Sequence, residues 1–256
     1  MKILISPAKK LNFEDSQNSA ITSTRCIFLE RSKEIMRKIK KLSPLELARL
    51  MKISEDLSEL NHARNQDWNI AKINNQGKQA LFSFQGAVYK AMKIEEFDSN
   101  DINFTNNHLR ILSGLYGILK PSDLILPYRL EMGTKIQIGE YKDLYYFWRS
   151  IITSYFLEET KKDSFLINLA SNEYFKVIDK KKITVPVITP VFKDRKNGKE
   201  KVISFYAKEA RGAMCNYIIK NKISQYQDLK KFSGLNYVYS KNHSTEHNLV
   251  FTRNHN

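Results

Sequence analysis

The chain has 256 residues and is short of acidic residues, cysteine, glycine and proline. Each shortage excludes something. The two cysteines, Cys26 and Cys215, lie in no Cys-x-x-Cys and beside no histidine cluster, so they read as free thiols rather than a disulfide framework or metal site. No run approaches the roughly 18 apolar residues of a spanning helix. Met1 is followed at once by Lys-Ile-Leu-Ile-Ser, too short for a signal-peptide core. The expectation is a cytoplasmic protein with no membrane partner. Nine glycines and six prolines build no linker, and no fixed-period repeat is evident, so one domain over 1–256 is expected. No GxGxxG, Walker A, GxSxG or HExxH occurs. His243 and His247 are spaced i, i+4, with His255 near the end, but no third ligand is placed to complete a set, so no metal or cofactor is expected.

What is present is core material and positive charge. Hydrophobic residues make up 42% and aromatics 11%, enough for a sizeable core. Lys and Arg number 42 against 27 Asp and Glu, a net charge of +15. The surplus is concentrated. Residues 176–241 hold 16 basic and 5 acidic side chains, whereas the other 190 residues hold 26 and 22. Such a segment favours polyanionic partners. The Lys-, Asn- and Ile-rich usage of an AT-rich genome competes as an explanation; it accounts for 31 Lys over 11 Arg but not for Lys over Glu.

Hydrophobic spacing predicts a short buried strand over Lys2–Ser6, a polar loop over Asp15–Arg25 and a helix over Ile27–Leu42. Ser43-Pro44 starts a further helix, and Ser54 caps the next. Helices are expected over Lys78–Met92, from Asn100 or Asp101 to about Ser113, over Tyr141–Thr160 and over Ala207–Lys222. Strands are expected over Phe165–Ala170 and Ile183–Phe192. Asn197-Gly198 signals a hairpin between Val191-Phe192 and Val202–Phe205, and two short strands follow at Tyr237–Tyr239 and Leu249–Thr252. The class is mixed α/β: a central mixed sheet, surrounding helices, and termini that pair.

Three constellations could carry chemistry. In Leu109–Pro121, Gly114 and Gly117 bracket Leu115 and Tyr116, and Arg110 and Lys120 flank them. Hydrophobic-x-Gly-hydrophobic-x-Gly resembles the hairpin of a helix-hairpin-helix, here spanning about 101–126. Its glycines let backbone approach a phosphate that N–H groups then bind. A glycine cap leading into a core turn is the alternative. Second, Lys9, Ser171 with Asn172, and Lys208 with Arg211 all follow expected strand ends, where open α/β sheets gather ligands. Lys208 and Arg211, at i and i+3, could hold an anion or be neutralised by Glu209 or Asp194. Third, Arg129 and Glu131 alternate with Tyr128 and Leu130, as a buried pair or as pocket groups, with Asn172 a further pocket candidate.

The stretches Ile5-Ser-Pro-Ala-Lys9, Leu109–Gly117, Pro127–Gly133, Ile167–Lys176 and Ile203–Gly212 resemble the YaaA family of bacterial peroxide stress resistance proteins, in order along nearly the whole chain. The resemblance implies survival of hydrogen peroxide by limiting damage from free intracellular iron. It also implies an unusual mixed α/β fold, a helix-hairpin-helix, a positively charged cleft and affinity for DNA, with no agreed reaction. Lys10 stands where a Thr is common, and Glu209 where a Lys is common.

The leading expectation is therefore a DNA-binding protein of oxidative-stress defence. Its phosphate contacts would be Lys9, Arg110, Gly114, Gly117, Lys120, Lys208 and Arg211, with duplex DNA held largely without sequence preference. The alternative is an enzyme acting on a nucleic acid or phosphorylated small molecule, with Lys9, Lys208, Arg211, Arg129 and Glu131 converging on one pocket. Direct iron sequestration would need a carboxylate or histidine cluster that the sequence does not display.

Overall fold

A computed structural model describes residues 1–14, 21–196 and 199–254. Among them an eight-stranded mixed sheet forms the centre. In chain order its strands are β1 (Lys2–Ile5), β2 (Leu109–Ser113), β3 (Gly117–Leu119), β4 (Leu166–Asn168), β5 (Val187–Lys196), β6 (Lys199–Lys201), β7 (Val238–Tyr239) and β8 (Asn248–Asn254). They lie in the order β7-β8-β5-β4-β1-β2-β3, with β6 paired to β5. The five inner strands run parallel, and β3, β6 and β7 join antiparallel. Parallel strands need apolar cover on both faces, and Ile3, Leu4, Ile5, Leu166 and Ile167 are all fully buried.

The helices are α1 (Leu29–Ile39), α2 (Pro44–Met51), α3 (Glu55–Asp67), α4 (Ala87–Met92), α5 (Ser99–His108), α6 (Leu144–Glu159), α7 (Asn172–Phe175) and α8 (Ser204–Lys220), besides shorter turns. The Ser43-Pro44 start is as expected: Ser43 and Glu46 form a reciprocal capping box. Ser54 precedes α3 but makes no side-chain cap.

Four expectations need correction. Lys78–Met92 is not one helix. Lys78–Gln79 and Phe84–Gln85 are extended and pair with Asp123–Ile125 and Lys10–Leu11, leaving a one-turn helix between them and α4 after Gly86. The second arm of the late hairpin is Lys199–Lys201 rather than Val202–Phe205; its turn, 197–198, lies outside the described residues, as do most of the loop expected from Asp15 and His255. The terminal strands share the sheet but do not pair: β4 and β5 stand between β1 and β8.

The fourth concerns the helix-hairpin-helix at about 101–126. The helix there ends at His108, and Leu109–Ser113 is a fully buried strand that turns back into β3 with Ser113 opposite Gly117. A short apolar run suits a buried helix segment or an inner strand alike, and parallel pairing with β1 on one side and antiparallel pairing with β3 on the other makes it a strand. A helix–turn–helix of similar size stands elsewhere: α2 and α3 are joined by Lys52-Ile53-Ser54, with Lys52 in the left-handed region at φ 53°.

Candidate functional site

The chain leaves β1 towards β2 and β3, then returns to the other side of β1 for β4 and β5. Successive crossovers diverge between β1 and β4, and an open α/β sheet has its natural crevice beyond the carboxyl ends of such strands. A cavity of about 340 Å³ lies there. Ser6 and Leu169, the first residues past β1 and β4, line it. Ser6 Oγ ties the two strand ends together by accepting from the Ser171 N–H at 2.9 Å, and Tyr89 donates its hydroxyl to the Ser6 carbonyl at 3.1 Å.

One wall is Gln85, Gly86 and the start of α4; the Phe84–Gln85 ladder with Lys10–Leu11 fixes it against the segment carrying Lys9. The opposite wall is Tyr128–Glu131, anchored by a 2.7 Å hydrogen bond between Tyr128 and Ser113 hydroxyls. Lys208 and Arg211 enter from α8. That helix begins at Ser204, so both stand in its second turn and not directly after a strand end, and the cavity brings them together with Lys9. Arg129 and Glu131 line the same space. Asn172 is exposed at the start of α7, and its neighbours Ser171 and Glu173, not Asn172, line the cavity.

The charges are unevenly matched. Glu131 is shared, its carboxylate lying 2.8 Å from Lys9 Nζ and 3.4 Å from Arg129 Nη2. Arg129 Nε is buried with no hydrogen-bond partner. Lys208 and Arg211 have no carboxylate partner among the described residues. Asp194, the neutralising group considered for them, is engaged by Arg253 at 2.5 Å and by the Tyr237 hydroxyl at 2.7 Å. Burial alone pushes the Arg211 guanidinium below its ordinary pKa, because nothing opposite stabilises the charge. A half-buried cation without a counterion is an electrostatic cost that a bound anion would remove. Burial pushes the Tyr89 and Tyr174 hydroxyls well up, and Tyr128 likewise rises, so the three are neutral walls rather than bases.

The remaining sequence-derived contacts lie apart from the cavity. Arg110 is 3% exposed in β2; it donates to Glu159 at 2.5 Å, to the Tyr155 hydroxyl at 3.0 Å and to two backbone carbonyls. Burial opposes its charge, but Glu159 outweighs burial and leaves its pKa raised. Leu115 and Tyr116, between Gly114 and Gly117, are fully buried. The Tyr116 N–H is taken by Ser113 Oγ at 3.0 Å, and Trp148 donates to the Gly114 carbonyl at 2.9 Å. This turn is a core turn, the alternative reading of its glycines, and offers no free backbone to a phosphate. The Lys120 N–H is held by Asp123 at 2.8 Å. Gln85, Tyr89 and Glu173 were not singled out from the sequence. Gln85 and Tyr89 fall inside what reads as a single helix, and only the break at Gly86 would have exposed them.

Among the described residues no group of three or more His, Cys, Asp or Glu side chains is placed to hold a metal, and no helix is long and apolar enough to cross a membrane.

The family described as Peroxide stress protein YaaA matches residues 1–243. A UPF0246 protein of Flavobacterium psychrophilum is 47% identical over 254 residues, 99% of this chain and 100% of that protein. One from Flavobacterium johnsoniae is 46% identical over 253 residues with the same coverage, and one from Aliivibrio fischeri is 44% identical over 256 residues, 99% of this chain and 98% of that protein. The chain therefore belongs to the peroxide stress protein YaaA family.

Proposed function

We propose that this peroxide stress protein works in the cytoplasm by binding duplex DNA through backbone phosphates, and so limits iron-dependent oxidative damage. The observation that supports the reading is the pair Lys208 and Arg211, cations on one helix face without carboxylate partners among the described residues, at the mouth of a cavity that also carries Lys9. Phosphate is the counterion this arrangement is short of, and neutralising phosphates releases condensed ions. The α2–α3 turn, with exposed Lys52, is the second expected contact, replacing the turn at Gly114–Gly117. Fluorescence anisotropy with plain and nicked duplexes at several salt concentrations tests this. Lys208→Ala with Arg211→Ala should lower the slope of log affinity against log salt by roughly 1–2. Absence of binding at low salt would remove the duplex reading.

A second reading is an enzyme acting on a nucleic acid or phosphorylated small molecule. Its support is the convergence of Lys9, Glu131 and Arg129 inside the same cavity. Lys9→Ala separates the two: a modest, uniform loss of affinity favours binding alone, and loss of turnover with affinity kept favours catalysis.

A further inference from the structure

We propose that the cavity is a binding site for a single nucleotide, with its phosphate against Arg211 and Lys208 and its base in the apolar interior beside Gln85. The inference rests on the cavity, the feature behind the second reading above, and not on duplex binding.

Size comes first. Ligand pockets run from about 300 to 1,000 Å³. At about 340 Å³ this cavity has room for a ligand the size of one nucleotide. Charge comes next. Five cations line it, Lys9, Lys10, Arg129, Lys208 and Arg211, against the carboxylates Glu131 and Glu173. Glu131 is taken up by Lys9 and Arg129, and Glu173 accepts the Gly133 N–H at 3.0 Å; Lys10, Lys208 and Arg211 have no carboxylate partner among the described residues, so the lining keeps a cationic excess for a ligand anion. A phosphate ester is the anion that a guanidinium fork matches bidentately.

The interior selects what the phosphate is attached to. Ala8, Val88, Leu130 and Leu169, with the rings of Tyr89 and Tyr128, make it largely apolar, which disfavours inorganic phosphate or a bare sugar phosphate and favours a flat ring. Gln85 supplies the polar exception. It is half-buried, and its side-chain amide, which offers both donor and acceptor, has no hydrogen-bond partner among the described residues. A base edge has the complementary pattern; a lipid or a simple carboxylic acid does not.

Titration calorimetry with dAMP, adenosine and inorganic phosphate as probes tests this on the full chain. The expected result is dAMP binding at least tenfold tighter than either fragment, lost in Arg211→Met and in Ala87→Trp, which adds bulk to the cavity and leaves every cation in the sequence. Gln85→Ala, a truncation at a half-buried position, guards against misfolding of the bulky variant; it should weaken dAMP and leave phosphate unchanged. Equal binding of dAMP and phosphate, or no binding of dAMP alongside no change in 2-aminopurine fluorescence, would overturn the proposal. A duplex carrying 2-aminopurine distinguishes the source of the nucleotide. Fluorescence rising with the native protein but not with Ala87→Trp assigns it to a strand, and dAMP binding without that rise assigns it to a free nucleotide. Duplex affinity read on the same samples keeps the readings apart, since it can vanish while dAMP binding persists, or persist while both nucleotide signals are absent.

Discussion

Gly212 on α8 lies against the backbone of Val88 on α4: a Cβ at position 212 would fall 2.1 Å from the Val88 carbonyl oxygen. The two helices meet backbone to backbone, and the preceding residue, Arg211, is thereby seated on the cavity that Val88 lines. Gly212→Ala gains helix propensity of about 1 kcal/mol, but the overlap must push α8 away. The expected net outcome is a loss of about 1–3 kcal/mol in chemical denaturation, together with weaker anion binding because Arg211 moves with its helix.

The turn at Gly114–Gly117 is structural, and its variants should report that. A Cβ at Gly114 would sit 2.4 Å from the Leu130 carbonyl oxygen, and one at Gly117, where φ is +72°, 2.7 Å from the Trp148 ring. Gly117→Val is expected to cost about 2–5 kcal/mol from the left-handed backbone and overpacking together. Arg110→Ala leaves Glu159 with Lys2 at 3.7 Å as its remaining cation and should cost about 3 kcal/mol, the lower end for breaking a buried pair. Both losses should appear in urea titrations, and any loss of DNA binding in these variants should track unfolding.

Neither thiol is placed to react readily with peroxide. Cys26 and Cys215 are buried; burial pushes Cys26 well up, with Asp123 adding to it, and pushes Cys215 up to about 12. Oxidation proceeds through the thiolate. Intact-mass measurement after brief stoichiometric peroxide should show no sulfenic acid on either cysteine in the native protein, and reaction only after denaturation.

Asp101 gives the fold an acid limit. Burial disfavours its charge, but hydrogen bonds from Lys220 and Lys222 outweigh burial and hold the carboxyl down to about 2. Because the folded value lies below the unfolded value of about 3.9, its contribution is complete above that value and is lost as pH falls towards 2. Asp101→Asn should therefore lower stability by about 1–2 kcal/mol at neutral pH and flatten the decline between pH 4 and 2, as read by denaturation at each pH.

Much of the frame was legible because buried strands and capped helices leave local marks. Lys2–Ile5, Leu166–Asn168 and the Ser43-Pro44 start lie where apolar runs and a capping serine place them. Lys9 and Ser171 follow the ends of Lys2–Ile5 and Leu166–Asn168 and line the cavity, whereas Lys208 reaches it from the second turn of α8 and not from a strand end. What failed was long-range. Leu109–Ser113 has apolar residues that fit a helix or a fully buried strand equally well, and only the parallel neighbour β1 decides between them. The glycines after it looked like phosphate ligands because the sequence cannot show that Trp148 and Ser113 already occupy their turn. Gln85 was hidden because pairing with Lys10–Leu11, 75 positions away at the Lys10–Gln85 bridge, breaks a locally plausible helix.

The central claim is that Arg211 is held uncompensated at the cavity in order to meet a phosphate. Arg211→Met keeps most of the apolar stem of the side chain and removes the charge. Thermal denaturation and anisotropy with a short duplex, run on the same preparation, test it most directly. The account predicts an unfolding midpoint equal to or above the native one, since an unpaired, half-buried cation is gone, with clearly weaker and less salt-dependent binding. A lowered midpoint with binding unchanged would contradict it and make Arg211 a structural residue.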